Sequence, residues 1–119
     1  MTLEEFSGGY YRTEMMVQPY EDGPVIENGL YDLIDKTIYA RTNAPITLRI
    51  GLAGSPYFKV GCESAIPTDV LAIPRKWMDD IQLHEEYKTH SVFVLKPEYS
   101  YLVNQSIVLK ERFDNHNVN

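Results

Sequence analysis

Cysteine is all but absent from this chain. Cys62 stands alone, which excludes an intramolecular disulfide and a cysteine-based zinc site and makes a reducing, cytoplasmic setting the default expectation. With no histidine near it in sequence, Cys62 is expected to be a small buried apolar thiol and not a nucleophile. Long apolar runs are missing too: the longest are about four residues, against the roughly 18 needed to span a bilayer, so no membrane segment is expected. The first residues, Met1-Thr2-Leu3-Glu4-Glu5-Phe6, are acidic where an export signal is basic and apolar, so no export is expected. Positive charge is scarce. Eleven Lys and Arg against 17 Asp and Glu leave a formal charge of −6, which repels a phosphate backbone unless the cations gather on one face. Catalytic signatures are missing as well: there is no P-loop, no dinucleotide-binding glycine pattern after a strand, no His-Glu metalloprotease pair and no nucleophile elbow.

What is there is enough for one core. In 119 residues, 44% of them hydrophobic, one domain fits and a second does not. Residues 1–113 are expected to form it and 114–119, "DNHNVN", to be a polar tail. "YYRTEMMVQP", 10–19, mixes aromatic strand formers with alternate polar positions and predicts a strand. After the "YEDGP" turn, Val25 and Ile26 are expected to pair back on it. Asn28 is the expected cap of a helix over 29–40, in which Leu30, Leu33, Ile34, Thr37 and Ile38 recur at helical spacing. "PITLRIGLAG" alternates Ile46, Leu48 and Ile50 against Thr47 and Arg49, and with "YFKVG" predicts a hairpin over 46–60. "VLAI", 70–73, is the next strand. Pro74 ends it and starts a short helix over Arg75–Gln82 that packs Trp77, Met78 and Ile81. "HSVFVLKP" predicts a strand closed by Pro97, and from 99 to 113 a strand is favoured over a helix.

Candidate chemistry is thin. "GLAGS" at 51–55 lacks the lysine of a phosphate loop and suits a hairpin turn. His84, Glu85, Glu86 and His90 are the nearest approach to a metal or acid–base cluster, but the two histidines are six apart, on different faces of a helix, in what reads as a solvated polar loop. No metal and no cofactor is expected. The tyrosines carry more information: nine exceed what a core of this size needs, and aromatic rings with a polar tip are enriched at interfaces. Phe6, Tyr10, Tyr11, Tyr20, Tyr99 and Tyr101 are therefore the candidate interface residues, against the plainer alternative of half-buried strand tyrosines.

Two resemblances add to this. "IPRKWMDDIQL" resembles the Ile-Pro, basic, helical and aliphatic pattern of the AbrB-like swapped-hairpin regulators, which implies a dimeric barrel that presents cations to DNA. Arg75 and Lys76 would be its phosphate contacts, with Arg12, Arg41 and Arg49 available where the fold brings them together. "HEEYKTH" stands where that family has a Gly-Asp turn. Over residues 5–75, "FSGGYY", "VQPY", "IYA" and "IPTDVLAIP" resemble, in order and spacing, a small uncharacterised haloarchaeal domain family, which implies a haloarchaeal or virus-borne setting and no known activity.

The expectation is thus a single α+β domain with a mainly antiparallel sheet or partial small barrel, one longer helix at 29–40 and a short one after Pro74. Its expected function is a non-catalytic protein-binding or assembly module, a structural subunit of a larger complex or virion. The alternative is a dimeric DNA-binding regulator of swapped-hairpin type.

Overall fold

The computed structural model describes residues 10–84 and 88–103 and the backbone of residues 4–7. Among the described residues there are eight strands: β1 (Glu4–Ser7), β2 (Tyr10–Pro19), β3 (Val25–Glu27), β4 (Thr47–Ile50), β5 (Phe58–Lys59), β6 (Gly61–Glu63), β7 (Val70–Ile73) and β8 (Thr89–Leu95). Three short helices accompany them, α1 (Asn28–Thr37), α2 (Arg75–Asp80) and α3, residues 97–103. The class is α+β, as the alternation of strand and helix patterns predicts.

β2 organises the sheet. Its period-two pattern buries Thr13, Met15 and Val17 and turns Arg12 and Glu14 outward. Tyr10–Met16 pair antiparallel with β8, and Met16–Pro19 pair parallel with β7. The full strand order is β5-β4-β8-β2-β7-β3-β6, with β1 on β2 beside that path. Residues 58–63 stand at both ends of the order: β5 lies against β4 and, one residue later, β6 lies against β3. The Val60 N–H donates to the Ile46 carbonyl and the Gly61 N–H to the Pro24 carbonyl, both at 3.0 Å. The sheet therefore nearly closes into a barrel, which leaves few open strand edges. Among the described residues only the β2–β7 and β3–β6 ladders are parallel.

The interior follows from the alternation. Met15, Val17, Leu48, Ile50, Leu71, Val92 and Val94 form the centre of the main cluster, with Leu30 and Ile34 of α1 and Met78 of α2 packed onto it. Each such side chain contributes about 1.5–3 kcal/mol by leaving water. A smaller cluster, Val25, Ile66, Val70 and Ala72, lies apart and takes Met16 and Tyr20 against it.

Several local expectations are corrected. Val25–Glu27 does not return to β2, because β7 lies between them and β3 pairs with β7 and β6 instead. The connection passes close over β7: a Cβ on Gly23 would sit 2.5 Å from the Ala72 carbonyl oxygen, so only glycine fits. The α1 cap is Glu27, not Asn28, and its carboxylate accepts from the Leu30 N–H at 2.8 Å. The helix ends at Thr37, short of residue 40, as the chain turns through positive φ at Ala40 and Arg41. Likewise α2 ends at Asp80, before Gln82 at φ 58, and Pro74 stands at its cap, outside the first turn. Cys62 is exposed, since it lies on the rim strand β6 beside exposed Gly61. Residues 97–103 are helical where a strand was favoured, because Pro97 opens a turn in which the Tyr99 and Ser100 N–H groups donate to the Lys96 carbonyl at 3.0 and 2.8 Å. Residues 104–113 and the expected tail at 114–119 lie outside the described residues.

Candidate functional site

A chain of buried hydroxyl groups fixes α3 on the outside of the sheet. Tyr39, fully buried just past α1, donates its phenol proton to the Leu95 carbonyl at 2.7 Å and accepts from the Thr47 N–H at 3.0 Å. The Thr47 and Ser100 hydroxyls are 2.7 Å apart, and both also meet the Pro45 carbonyl. Thr47 and Ser100 are fully buried, so every polar atom in this cluster needs the partner it has. Burial pushes the Tyr39 phenol above its ordinary 10.0, against the opposing pull of its hydrogen bonds to Ser100 and Thr47. The cluster ties together the segment after α1, β4, the end of β8 and α3.

The other faces of α3 project outward. Tyr99 is 45% exposed, Tyr101 54% and Leu102 59%, and among the described residues the only other large exposed apolar side chain is Leu33. Beside them an open, mostly apolar groove runs between α3 and the segment after α1, lined by Ile38, Ala40, Ala44, Pro97, Tyr101 and Leu102 together with Thr42, Asn43 and Glu98. The latch thus holds an aromatic and aliphatic ridge next to an open groove. Exposed apolar patches beside a groove are the kind of surface on which docking occurs.

The six sequence candidates divide. Tyr99 and Tyr101 stand on this ridge. Tyr10 and Tyr11 lie opposite Leu95 and Val94, at the same end of β8, but are half-buried. Tyr10 packs edge-on to Phe93 with centroids 4.9 Å apart, and the Lys96 ammonium sits 5.5 Å above the Tyr11 ring. Tyr20 packs on the small cluster elsewhere. Phe6 belongs to β1, and its side chain lies outside the described residues. Leu102 and the latch residues Tyr39, Thr47 and Ser100 escaped sequence reading. Leu102 gave a signal in its adjacency to Tyr101, whereas nothing in the sequence marks Ser100.

The cationic candidates are partly gathered. Arg12 on β2 and Arg49 on β4 both lie opposite Phe93 of β8, so the three share one outer row across the sheet. The Arg12 Nε donates to Ser91 Oγ at 3.1 Å, and Glu14 is 3.4 Å from its guanidinium. Arg49 donates to the Ser55 carbonyl at 3.1 Å and stands over the Tyr57 ring. Arg41 is elsewhere, between Asp32 and Asp35. Arg75 and Lys76 are exposed at the start of α2. His84 is exposed, and no group of three metal-ligating side chains occurs among the described residues.

The profile of a family of unknown function, DUF5802, matches residues 2–107. The chain belongs to that family. The DUF5802 match spans the barrel, the latch and the ridge alike, so the candidate surface is part of the family's domain and not an appendage to it. No curated protein and no solved structure matches this DUF5802 chain. No helix among its described residues is long and apolar enough to cross a membrane.

Proposed function

We propose that this chain is a non-catalytic assembly module that docks a protein partner on the α3 ridge and groove. The observation that carries this is the exposure of Tyr99, Tyr101 and Leu102 on one short helix whose inner face is locked by Ser100. A surface held this firmly loses little entropy on binding, and aromatic anchors of this kind dominate interface energetics. The formal charge of −6 favours a partner whose rim around the apolar insert is basic. A cytoplasmic or virion-borne complex in a haloarchaeal setting is the fuller form of this reading, and the "FSGGYY…VQPY…IPTDVLAIP" likeness is what supports it. Light scattering coupled to size exclusion, at low and at molar salt, tests it on the wild-type chain and a Tyr101→Ser, Leu102→Ser variant. Assembly that the variant loses while keeping its fold supports the ridge as the interface. Monomers in both salts remove self-assembly, and cross-linking to heterologous partners then decides the rest.

A second reading, nucleic-acid binding, is favoured by the Arg12–Phe93–Arg49 row, where half-exposed aromatic and guanidinium groups alternate. This is a different surface from the Arg75 corner implied by the swapped-hairpin likeness. Anisotropy of a labelled oligonucleotide at low salt separates them: loss on Arg49→Ala implicates the sheet face, loss on Arg75→Ala the corner, and no binding by wild type ends the reading.

A further inference from the structure

The barrel divides into two ββαβ units, β2-β3-α1-β4 and the sequence β5/β6-β7-α2-β8. Their registers superimpose by a shift along the chain. Adding 45 to Met16 and subtracting 45 from Val70 turns the β2–β7 pair Met16–Val70 into Gly61–Val25, which is a β3–β6 pair. Adding 45 to Thr13 and subtracting 44 from Val92 turns the β2–β8 pair into Phe58–Leu48, a β4–β5 pair. Shifting Leu48 and Val94 by 44 gives Val92 and Ile50, again partners. The barrel is therefore a pseudo-two-fold arrangement of two like units. Among the described residues, every ladder of the barrel path joins a strand of one unit to a strand of the other: β2 to β7 and β8, β3 to β6 and β7, β4 to β5 and β8. Neither unit has a barrel ladder of its own, so neither satisfies its strand backbone alone. One short covalent tie joins them, the segment 51–57 between β4 and β5, and Gly54 in it has open space around it.

We infer that a second copy of this chain can complete the barrel in trans, its β5–β8 unit filling the place of the first copy's own, or the reverse. Every ladder of the barrel path lies between units; the tie adds a few contacts of its own, such as the Gly51 N–H to the Ser91 carbonyl at 2.8 Å and Arg49 to the Ser55 carbonyl, and beyond these it supplies proximity, an effective concentration on the order of millimolar. A chain with one unit disabled is then a competent partner for a chain with the other disabled. The interface is the barrel's own set of ladders, independent of the α3 ridge, and a Tyr101→Ser, Leu102→Ser background leaves it unchanged.

Complementation between full-length chains tests this. Leu48→Asp puts a charge into the first unit's core and Val92→Asp into the second's, both positions being fully buried. Each variant refolded alone is expected to lack a cooperative melt. An equimolar mixture refolded together at high concentration is expected to recover up to about half the wild-type near-ultraviolet signal per chain, and to elute at twice the mass of one chain. A mixture whose signal equals the mean of the two separate samples overturns the inference. Should either variant fold alone, a protease site inserted beside Gly54 of the wild type gives a second reading. After cleavage of the folded protein, halves that co-elute until denaturant is added support completion in trans, and halves that separate in native buffer overturn it.

Discussion

The two ββαβ units have the same strand pairing and different surfaces. Inside the barrel, equivalent positions carry equivalent side chains: Ile26 and Leu71, Leu48 and Val92, Ile50 and Val94, all buried. Outside, the units part company. Arg49 in the first corresponds to Phe93 in the second, and the ten-residue α1 to the six-residue α2. The interior answers to one packing demand twice, whereas the outer positions are free to serve contacts. Some interior positions break the pattern, among them Thr13, which stands where the second unit has Phe58, and the place of His90. Where the first unit has fully buried Ile46, the second has His90, whose Nε2 is buried and has no hydrogen-bond partner among the described residues.

The symmetry of the interior is open to direct challenge. Leu48→Ala is expected to cost about 3 kcal/mol and Val92→Ala somewhat less, in proportion to the methylenes removed, as read from urea melts. A near-zero cost at either position would show that the units do not share the core equally. Next in size is the latch, whose phenol comes from the first unit and reaches the end of β8 in the second. Tyr39→Phe leaves the Thr47 N–H and the Leu95 carbonyl without their buried partner and is expected to cost about 2 kcal/mol.

The same residue predicts a pH dependence. The folded state holds the Tyr39 proton more tightly than the unfolded chain, so its contribution is complete below the ordinary 10.0 and is lost as pH rises through the higher folded value. Within that window stability falls by about 1.4 kcal/mol per pH unit on this account, and Tyr39→Phe should flatten that part of the alkaline limb. His90→Ile, which gives the second unit the first unit's side chain, is expected to stabilise by about 1 kcal/mol by removing an unsatisfied buried nitrogen. A loss of stability instead would mean that the imidazole has a role the packing does not reveal. Smallest of all, Tyr101→Ser with Leu102→Ser should move the melt by under about 0.5 kcal/mol while abolishing assembly on the ridge.

Local patterns were legible wherever backbone periodicity and proline carried them. "YYRTEMMVQP", "TLRI", "VLAI" and "SVFVL" lie in strands as their alternation or β-branching requires, and Pro74 separates strand from helix. The pairing of those strands was not legible. Nothing within "YEDGPVIE" says that β3 skips β2 to lie beside β7, because the deciding contact, Gly23 over Ala72, joins residues far apart in sequence. The candidate site was half legible for the same reason. Tyr99 and Tyr101 stood out by residue type, but their exposure depends on Ser100 facing Thr47 across the molecule, and a lone serine between two tyrosines looks like any other.

By itself, then, the sequence determined the α+β class of this chain. Alternation places apolar side chains on one face of each strand, and burying that face is favourable whatever its neighbours turn out to be. Tertiary structure alone decided the nearly closed barrel, the interleaving of two equivalent units and the rigid presentation of the α3 ridge. Each of these rests on hydrogen bonds and close approaches between distant residues, for which chain order holds no local signal.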